Sequence, residues 1–158
     1  MAVAAQVDVP LAAGERLPNK WAMYELIKRG AIQLIQPETT RLGGITELKK
    51  VSAIAEAAGM HVAPHAGSVG PIVEMANVHV MATVPNFRYL EHMPRDIAHR
   101  HTVVDGAATV VDGHIALPTA PGLGIELNLE EMARYEPFPV GDYTYRYRSP
   151  DDIRRWQS

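Results

Sequence analysis

The feature that most constrains this chain is a regular alternation of short apolar runs and helical segments over its first 92 residues. The apolar runs end at four ionisable side chains, Glu15, Glu38, His65 and Glu91. Successive ends are separated by 23, 27 and 26 residues. A strand and a helix that repeat at this period predict a parallel sheet of βαβ units, either doubly wound or closed into a barrel.

Three helices are expected between these runs. The first extends from Asn19 to Arg29 and stops at Gly30, and the second opens after Gly43-Gly44 and ends at Gly59. The third has Pro71 in its first turn, a position where proline is favoured. The runs themselves do not alternate polar and apolar residues, which is typical of parallel strands buried on both faces.

The regular pattern stops after residue 92. Asp105-Gly106 and Asp112-Gly113 are turn signals and predict small β segments around them. The segment Tyr143–Arg148 alternates strictly and predicts an edge strand at a subunit or domain contact. We therefore expect one repeating part, residues 1–100, and a C-terminal extension of β and loop segments, residues 101–158.

Composition excludes several classes of protein. With 158 residues, 47% hydrophobic and 21% charged, the chain is typical of about one globular domain. The absence of cysteine excludes disulfides, thiolate metal sites and a cysteine nucleophile. The net charge of −3 argues against nucleic acid as a partner, and no apolar run or basic leader indicates a membrane or a secretory signal. We expect a cytoplasmic protein.

The four polar run ends are candidates for a catalytic site. In a parallel barrel all strands open at their C-terminal ends onto one face, where active sites are built. Carboxylates suit a hard cation such as Mg²⁺, and a histidine beside a carboxylate is a suitable proton acceptor. The alternative is that these residues only terminate strands or begin helices, as polar loop residues often do.

A set of short motifs turns this pattern into a family resemblance. The set occupies residues 7 to 128 and consists, in order, of Pro10-Leu-Ala-Ala-Gly-Glu15-Arg16, Gln36-Pro37, Gly43-Gly-Ile-Thr-Glu47, Ala63-Pro-His65, Leu90-Glu91 and Pro121-Gly-Leu-Gly-Ile-Glu126. It resembles the C-terminal half of the enolase superfamily, in the mandelate racemase-like branch that contains the galactonate-type acid-sugar dehydratases. The resemblance implies an α/β fold, the C-terminal half of a (β/α) TIM-type barrel (strands 5 to 8), followed by a segment that returns toward a capping domain.

The resemblance also implies roles for four residues and a cofactor. Glu15 matches a Mg²⁺ ligand, and His65 matches the base that removes the proton α to a substrate carboxylate. Glu38 matches the acidic partner of His65, and Glu91 matches the acid that hydrogen-bonds the enediolate. The implied reaction is the Mg²⁺-dependent dehydration of a sugar acid to a 2-keto-3-deoxy acid.

Two departures from the family pattern qualify this expectation. The family usually has Asp where this chain has Glu38, so the carboxylate is displaced by about one C–C bond. The family's other metal ligands and its capping domain correspond to positions before Met1. We therefore expect the chain to be an inactive fragment of a longer enzyme that forms a homo-oligomer.

Two other functions stay open. A racemase or cycloisomerase of the same superfamily would share the proton abstraction, and a non-catalytic half barrel would serve as a binding module. Arg16 and Arg41 follow strand ends, where they can meet a substrate carboxylate or simply be solvated or ion-paired.

The remaining histidines receive structural interpretations. His79 is expected in the core or an interface, and His92 is expected to be a loop residue. The sequence His99-Arg100-His101 is expected to form a polar loop, because no third metal ligand lies near it.

Overall fold

The computed structural model describes residues 2–66, 69–93 and 99–135, which form two compact units divided between residues 128 and 129. The second unit is described only up to residue 135 and contains helix α6 (Leu129–Met132). The edge strand predicted at Tyr143–Arg148 lies outside the described residues, and the expected division at residue 100 stays a prediction. The first unit contains, in chain order, β1 (Ala12–Ala13), α1 (Lys20–Lys28), β2 (Leu34–Ile35), α2 (Thr39–Leu42), α3 (Ile45–Ala57), β3 (His61–Val62), α4 (Gly70–Met81), α5 (Arg100–Val103), β4 (Val104–Asp105), β5 (Val110–Val111), β6 (His114–Ile115) and β7 (Glu126–Leu127).

The three-stranded sheet of the first unit is parallel, as predicted. Its order is β1-β2-β3, with Ala13 opposite Ile35 and Ile35 opposite Val62. The fourth apolar run adds to this sheet beside β3, through a parallel bridge between Val62 and Phe87. Four successive chain segments thus run in one direction with helices between them, which is the strand–helix repeat of a (β/α) barrel half.

The three predicted helices are confirmed, and their ends have identifiable causes. The side chain of Asn19 caps α1 by accepting the backbone N–H of Ala22 at 3.0 Å. Helix α3 ends in a Schellman motif, in which Gly59 has φ +70° and the N–H of Met60 donates to the carbonyl of Ala55 at 2.9 Å. Pro71 occupies the first turn of α4.

Helix α2 was not predicted. The four residues of α2 follow Glu38 directly, and the Glu38 side chain is its N-cap. Glutamate is not among the preferred N-cap residues, and four residues are too few to show helical periodicity. No helix was therefore predicted between Glu38 and Gly43.

The core of the first unit lies between the sheet and helices α1 and α3. Ile35 and Val62, from the sheet, are 0% exposed. The helices contribute apolar side chains at helical spacing, so that each helix has one buried face. The fully buried residues of this cluster that come from helices are Met23, Leu48, Val51 and Ala55.

The small β segments predicted after residue 92 are also confirmed. β4 pairs antiparallel with β7, and β5 pairs antiparallel with β6. The turn between β5 and β6 consists of Asp112 at φ 49° and Gly113 at φ 77°. Two successive positive φ angles are those of a type I′ turn, which matches the twist of a two-residue hairpin.

Candidate active site

The four polar run ends follow the C-terminal ends of the parallel segments, so the topology brings them to one edge of the sheet. The backbone N–H of His65 donates to the carbonyl of Pro37 at 3.1 Å, directly before Glu38. The backbone N–H of Gln36 donates to the carbonyl of Ala13 at 2.9 Å, two residues before Glu15. Ladder hydrogen bonds therefore hold the first three ends in adjacent positions.

His65 and Glu91 form the central pair of this edge. The Nε2 atom of His65 lies 3.9 Å from Oε2 of Glu91, and the side chains are 21% and 36% exposed. The same Oε2 accepts the backbone N–H of Ala66 at 3.0 Å. An imidazole and a carboxyl group are thus placed side by side, partly shielded from water but accessible to a ligand.

Glu38 is engaged by its own turn. It is 2% exposed, and its carboxylate accepts the backbone N–H of Thr40 at 2.8 Å and that of Arg41 at 3.1 Å. The hydroxyl of Thr40 donates to the same carboxylate at 2.6 Å. In the described part of the chain, no hydrogen bond joins Glu38 to His65, whose Nδ1 atom is buried and has no hydrogen-bond partner. The expected Glu38–His65 pair stays a prediction.

Glu15, the expected metal ligand, lies two residues after β1. Its side chain is 36% exposed, and its Oε1 atom lies 3.6 Å from Nε of Arg16. Arg41 donates from Nη1 to the backbone carbonyl of Glu15 at 3.2 Å, and its Nε atom lies 3.5 Å from Oε2 of Glu38. The two predicted substrate-binding arginines are therefore at this edge, with side chains 73% (Arg16) and 53% (Arg41) exposed.

The chemistry of these residues is compatible with one corner of a Mg²⁺ site. A carboxylate oxygen is the ligand that Mg²⁺ prefers, and the half-exposed Glu15 can supply one. Among residues 2–66, 69–93 and 99–135, no three His, Cys, Asp or Glu side chains are grouped to hold a metal. Glu15 thus suits the role of a single ligand within a larger set.

A buried cluster beside this edge was missed by the sequence interpretation. Glu74 on α4 is 1% exposed, and its two carboxylate oxygens contact Nδ1 of His92 and Nη1 of Arg100. The loop assignment of His92 did not foresee this partner, and the polar loop expected around Arg100 is wrong, because Arg100 begins α5 and is 1% exposed. Since the partners lie 18 and 26 residues from Glu74, no local pattern could indicate them.

His79 also has a structural role. Its Nε2 atom lies 3.1 Å from the carbonyl oxygen of Leu123, in a partly buried position. This contact ties α4 to the loop before β7 and fits the expectation of a packed histidine.

The chain belongs to the enolase C-terminal domain-like family, whose family model matches residues 1–132. It is 36% identical over 132 residues to a D-galactonate dehydratase family member from Streptomyces bingchenggensis. The matched region covers 82% of this chain and 32% of the relative. The chain therefore spans about a third of the length of this curated relative. No helix in the described ranges has the length and apolar character needed to cross a membrane.

Solved structures give the same assignment. A mandelate racemase/muconate lactonizing enzyme-like protein from Roseovarius sp. TM1035 is 40% identical, with a TM-score of 0.77 over 86% of this chain and 33% of that one. An enolase from Pantoea ananatis with bound D-gluconate and Mg is 30% identical, with a TM-score of 0.78 over 87% of this chain and 33% of that one. The fold is the (β/α) barrel half of this superfamily, and the relatives indicate a family of sugar-acid dehydratases.

Proposed function

We propose that this chain supplies the proton-transfer half of a Mg²⁺-dependent sugar-acid dehydratase. The observation that carries the proposal is the His65–Glu91 pair, with Nε2 and Oε2 3.9 Å apart at the C-terminal edge of the parallel sheet. Support comes from the relative named as a D-galactonate dehydratase family member and from the similar enolase with bound D-gluconate and Mg.

The proposed reaction begins with proton abstraction. Nε2 of His65 takes the proton α to the substrate carboxylate, and the electron pair of the C–H bond moves into that carboxylate to give an enediolate. Glu91 hydrogen-bonds an oxygen on which this negative charge develops. The electrons then return to expel the β-hydroxyl as hydroxide, and this hydroxide and the α proton that His65 removed together make up one water. The resulting enol tautomerises to a 2-keto-3-deoxy acid.

Glu15 is the residue of this chain that we assign to the metal. When bound, Mg²⁺ supplies positive charge that stabilises the charge growing on the substrate carboxylate. Arg16 and Arg41 are assigned to the substrate, because each presents a partly exposed guanidinium beside the same edge. A guanidinium can bind a carboxylate through two parallel hydrogen bonds.

Glu38 is proposed to orient His65. The Nδ1 atom of His65 is buried without a hydrogen-bond partner, a costly arrangement for a polar atom. A carboxylate on that atom would fix the ring orientation and increase the basicity of the imidazole. The Glu38 carboxylate already accepts hydrogen bonds from Thr40 and Arg41, and in the proposed pair it would accept a further one from His65.

We also propose that the 158-residue chain does not turn over substrate alone, since a Mg²⁺ site needs several oxygen ligands and Glu15 supplies one. The complete enzyme is proposed to be a homo-oligomer.

The test uses the chain in two forms, assayed with Mg²⁺ on D-gluconate and D-galactonate. The first form is the chain alone. The second is a chimaera in which the chain replaces its matched segment of the Streptomyces relative and follows the part of that relative which precedes it. We expect 2-keto-3-deoxy acid from the chimaera and none from the chain alone. Epimerised acid instead of keto acid would indicate a racemase, and a chimaera that folds by circular dichroism but is inert on both acids would contradict the proposal.

A further inference from the structure

The proposed function does not use Glu74, although its carboxylate is among the most deeply buried charged groups described. The carboxylate is 1% exposed, and both of its oxygens are engaged. Nη1 of Arg100 donates to Oε2 at 2.5 Å, and Nδ1 of His92 contacts Oε1. A buried ion pair of this kind is weak evidence for stability alone, because desolvation offsets much of the attraction.

The contact between His92 and Glu74 implies a tautomer. An ionised carboxylate can only accept hydrogen bonds, so this contact is a hydrogen bond when Nδ1 of His92 carries the hydrogen shared with Oε1 of Glu74. The positive charge of Arg100, whose side chain is 2% exposed, offsets the negative charge of Glu74. His92 is therefore anchored through its ring by a carboxylate that is itself held in place by a buried guanidinium.

The anchor lies one residue from the proposed site. Glu91 immediately precedes His92, and Oε2 of Glu91 accepts the N–H of Ala66 while facing Nε2 of His65. Glu91 is 36% exposed and lies between α4 and α5, outside the helices and strands of the described residues. A side chain on an irregular segment needs a neighbouring fixed point to hold a reproducible position.

We propose that Glu74 and Arg100 form a buried clamp on His92, and that His92 is a positioning residue for Glu91. The clamp fixes the backbone after the fourth parallel segment, and this holds the Glu91 carboxylate against Ala66 N–H and beside His65. The importance for catalysis rests on the proposed function, whereas the clamp itself is a property of the folded chain.

The test measures amide hydrogen exchange by NMR in the complete 158-residue chain. His92→Ala removes the anchor but leaves the Glu74–Arg100 pair. We expect the Ala66 amide to exchange at least about tenfold faster, because its acceptor on Glu91 is no longer held. The Ala63 amide, which donates to Ile35 in the sheet at 3.0 Å, should be unchanged. His101→Ala, at an exposed histidine, is the matched control and should change neither amide.

Two further measurements complete the test. His92→Asn retains an N–H donor near the position of Nδ1 and should restore slow exchange at Ala66. In the unmodified chain, ¹⁵N NMR of the imidazoles should show a protonated Nδ1 on His92, a result that needs no variant to fold. An unprotonated Nδ1, unchanged exchange at Ala66, or equal acceleration at Ala66 and Ala63 would each overturn the clamp.

These readouts need no turnover, so failure of the clamp and failure of the proposed function are distinguishable. If the chain shows the expected exchange pattern but its chimaera is inert, the clamp is supported and the dehydratase proposal is contradicted. In an active chimaera, His92→Ala should lower kcat more than it raises KM, since misplacing Glu91 weakens an interaction proposed for the transition state.

Discussion

At the residue scale, the hydrogen bonds of each carboxylate separate its possible roles. Glu38 is buried and satisfied by Thr40 and Arg41, whereas Glu91 has one oxygen bonded to Ala66 and a partly exposed side chain. Glu38 therefore has a structural role in this conformation, in addition to the one proposed for it beside His65.

Replacing Glu38 tests this structural role. Glu38→Ala removes the N-cap of α2 and leaves the backbone N–H groups of Thr40 and Arg41 without their acceptor. We expect the free energy of unfolding to fall by about 1–2 kcal/mol, as for the loss of a helix cap. The measurement is urea denaturation, with Glu25→Ala on the exposed face of α1 as the control, expected to change stability by no more than about 0.5 kcal/mol. Equal stability of the two variants would show that the cap contributes nothing.

Single residues were predictable from sequence where a local signal exists. The positions of Glu15, His65 and Glu91 at segment ends follow from the strand–helix period. The contacts of Glu74 with His92 and Arg100 do not, because they depend on how α4 packs against segments 18 and 26 residues away. The engagement of Glu38 by Thr40 and Arg41 is local, but glutamate is not a preferred N-cap residue, so the sequence carried no cap signal for it.

At the element scale, the helix ends that carry a capping side chain or a C-terminal glycine were predicted to within about one or two residues. Helix ends without such a signal were not predicted. Asn19 and Gly59 determine their helix ends through contacts within a few residues, which the sequence alone specifies. The parallel strands observed are only two residues long, and this length could not be predicted, since pairing depends on neighbours that the local pattern does not contain.

The contact between α1 and α3 includes an ion pair that depends on pH. Lys20 donates to Glu47 at 2.9 Å and Lys50 donates to it at 2.7 Å. The hydrogen bond from Lys50, followed by that from Lys20, lowers the pKa of Glu47 below its usual value of 4.5. A lowered folded-state pKa stabilises the protein above the unfolded-state pKa, and this contribution is lost as the pH falls through the folded-state value.

Glu47→Gln should therefore be less stable than the unmodified chain at pH 7, and the difference should disappear as the pH falls well below 4.5. Urea denaturation at both pH values measures it. Added salt should also reduce the difference at pH 7, because the pair is near the surface. A difference that persists undiminished at acid pH would show that charge is not its cause.

The junction of β4 and β7 requires a glycine. Gly106 has φ +79°, and a Cβ atom there would lie 2.6 Å from the carbonyl oxygen of Gly124. Gly30 has φ +61° but nothing within 4 Å of such an atom. Gly30→Ala should cost about 1–2 kcal/mol for the left-handed backbone alone, and Gly106→Ala should cost more because backbone must also move.

Thermal or urea unfolding of Gly106→Ala and Gly30→Ala measures this difference directly. An equal loss of unfolding free energy in the two variants would contradict the prediction, because it would show that the added methyl group fits beside Gly124.

At the scale of the whole molecule, the first unit is half of a barrel whose strand–helix order was predictable because each unit is local in sequence. β1, β2 and β3 pair in chain order, and the segment that contains Phe87 pairs next to β3. The substrate was not predictable, because selectivity depends on side chains that surround the ligand, and the chain spans about a third of the relative's length. The chain thus contains the residues proposed for proton transfer, His65 and Glu91, and one proposed metal ligand, Glu15.

The measurement that tests the central claim most directly is turnover of the chimaera with His65→Asn, compared with His61→Asn at an exposed position of β3. With D-gluconate and Mg²⁺, we predict that His65→Asn lowers kcat by about 10²–10⁴-fold with little change in KM, as for loss of a general base. His61→Asn should retain the rate of the unmodified chimaera. A His65→Asn chimaera that forms keto acid at the unmodified rate would contradict the assignment of His65 as the base.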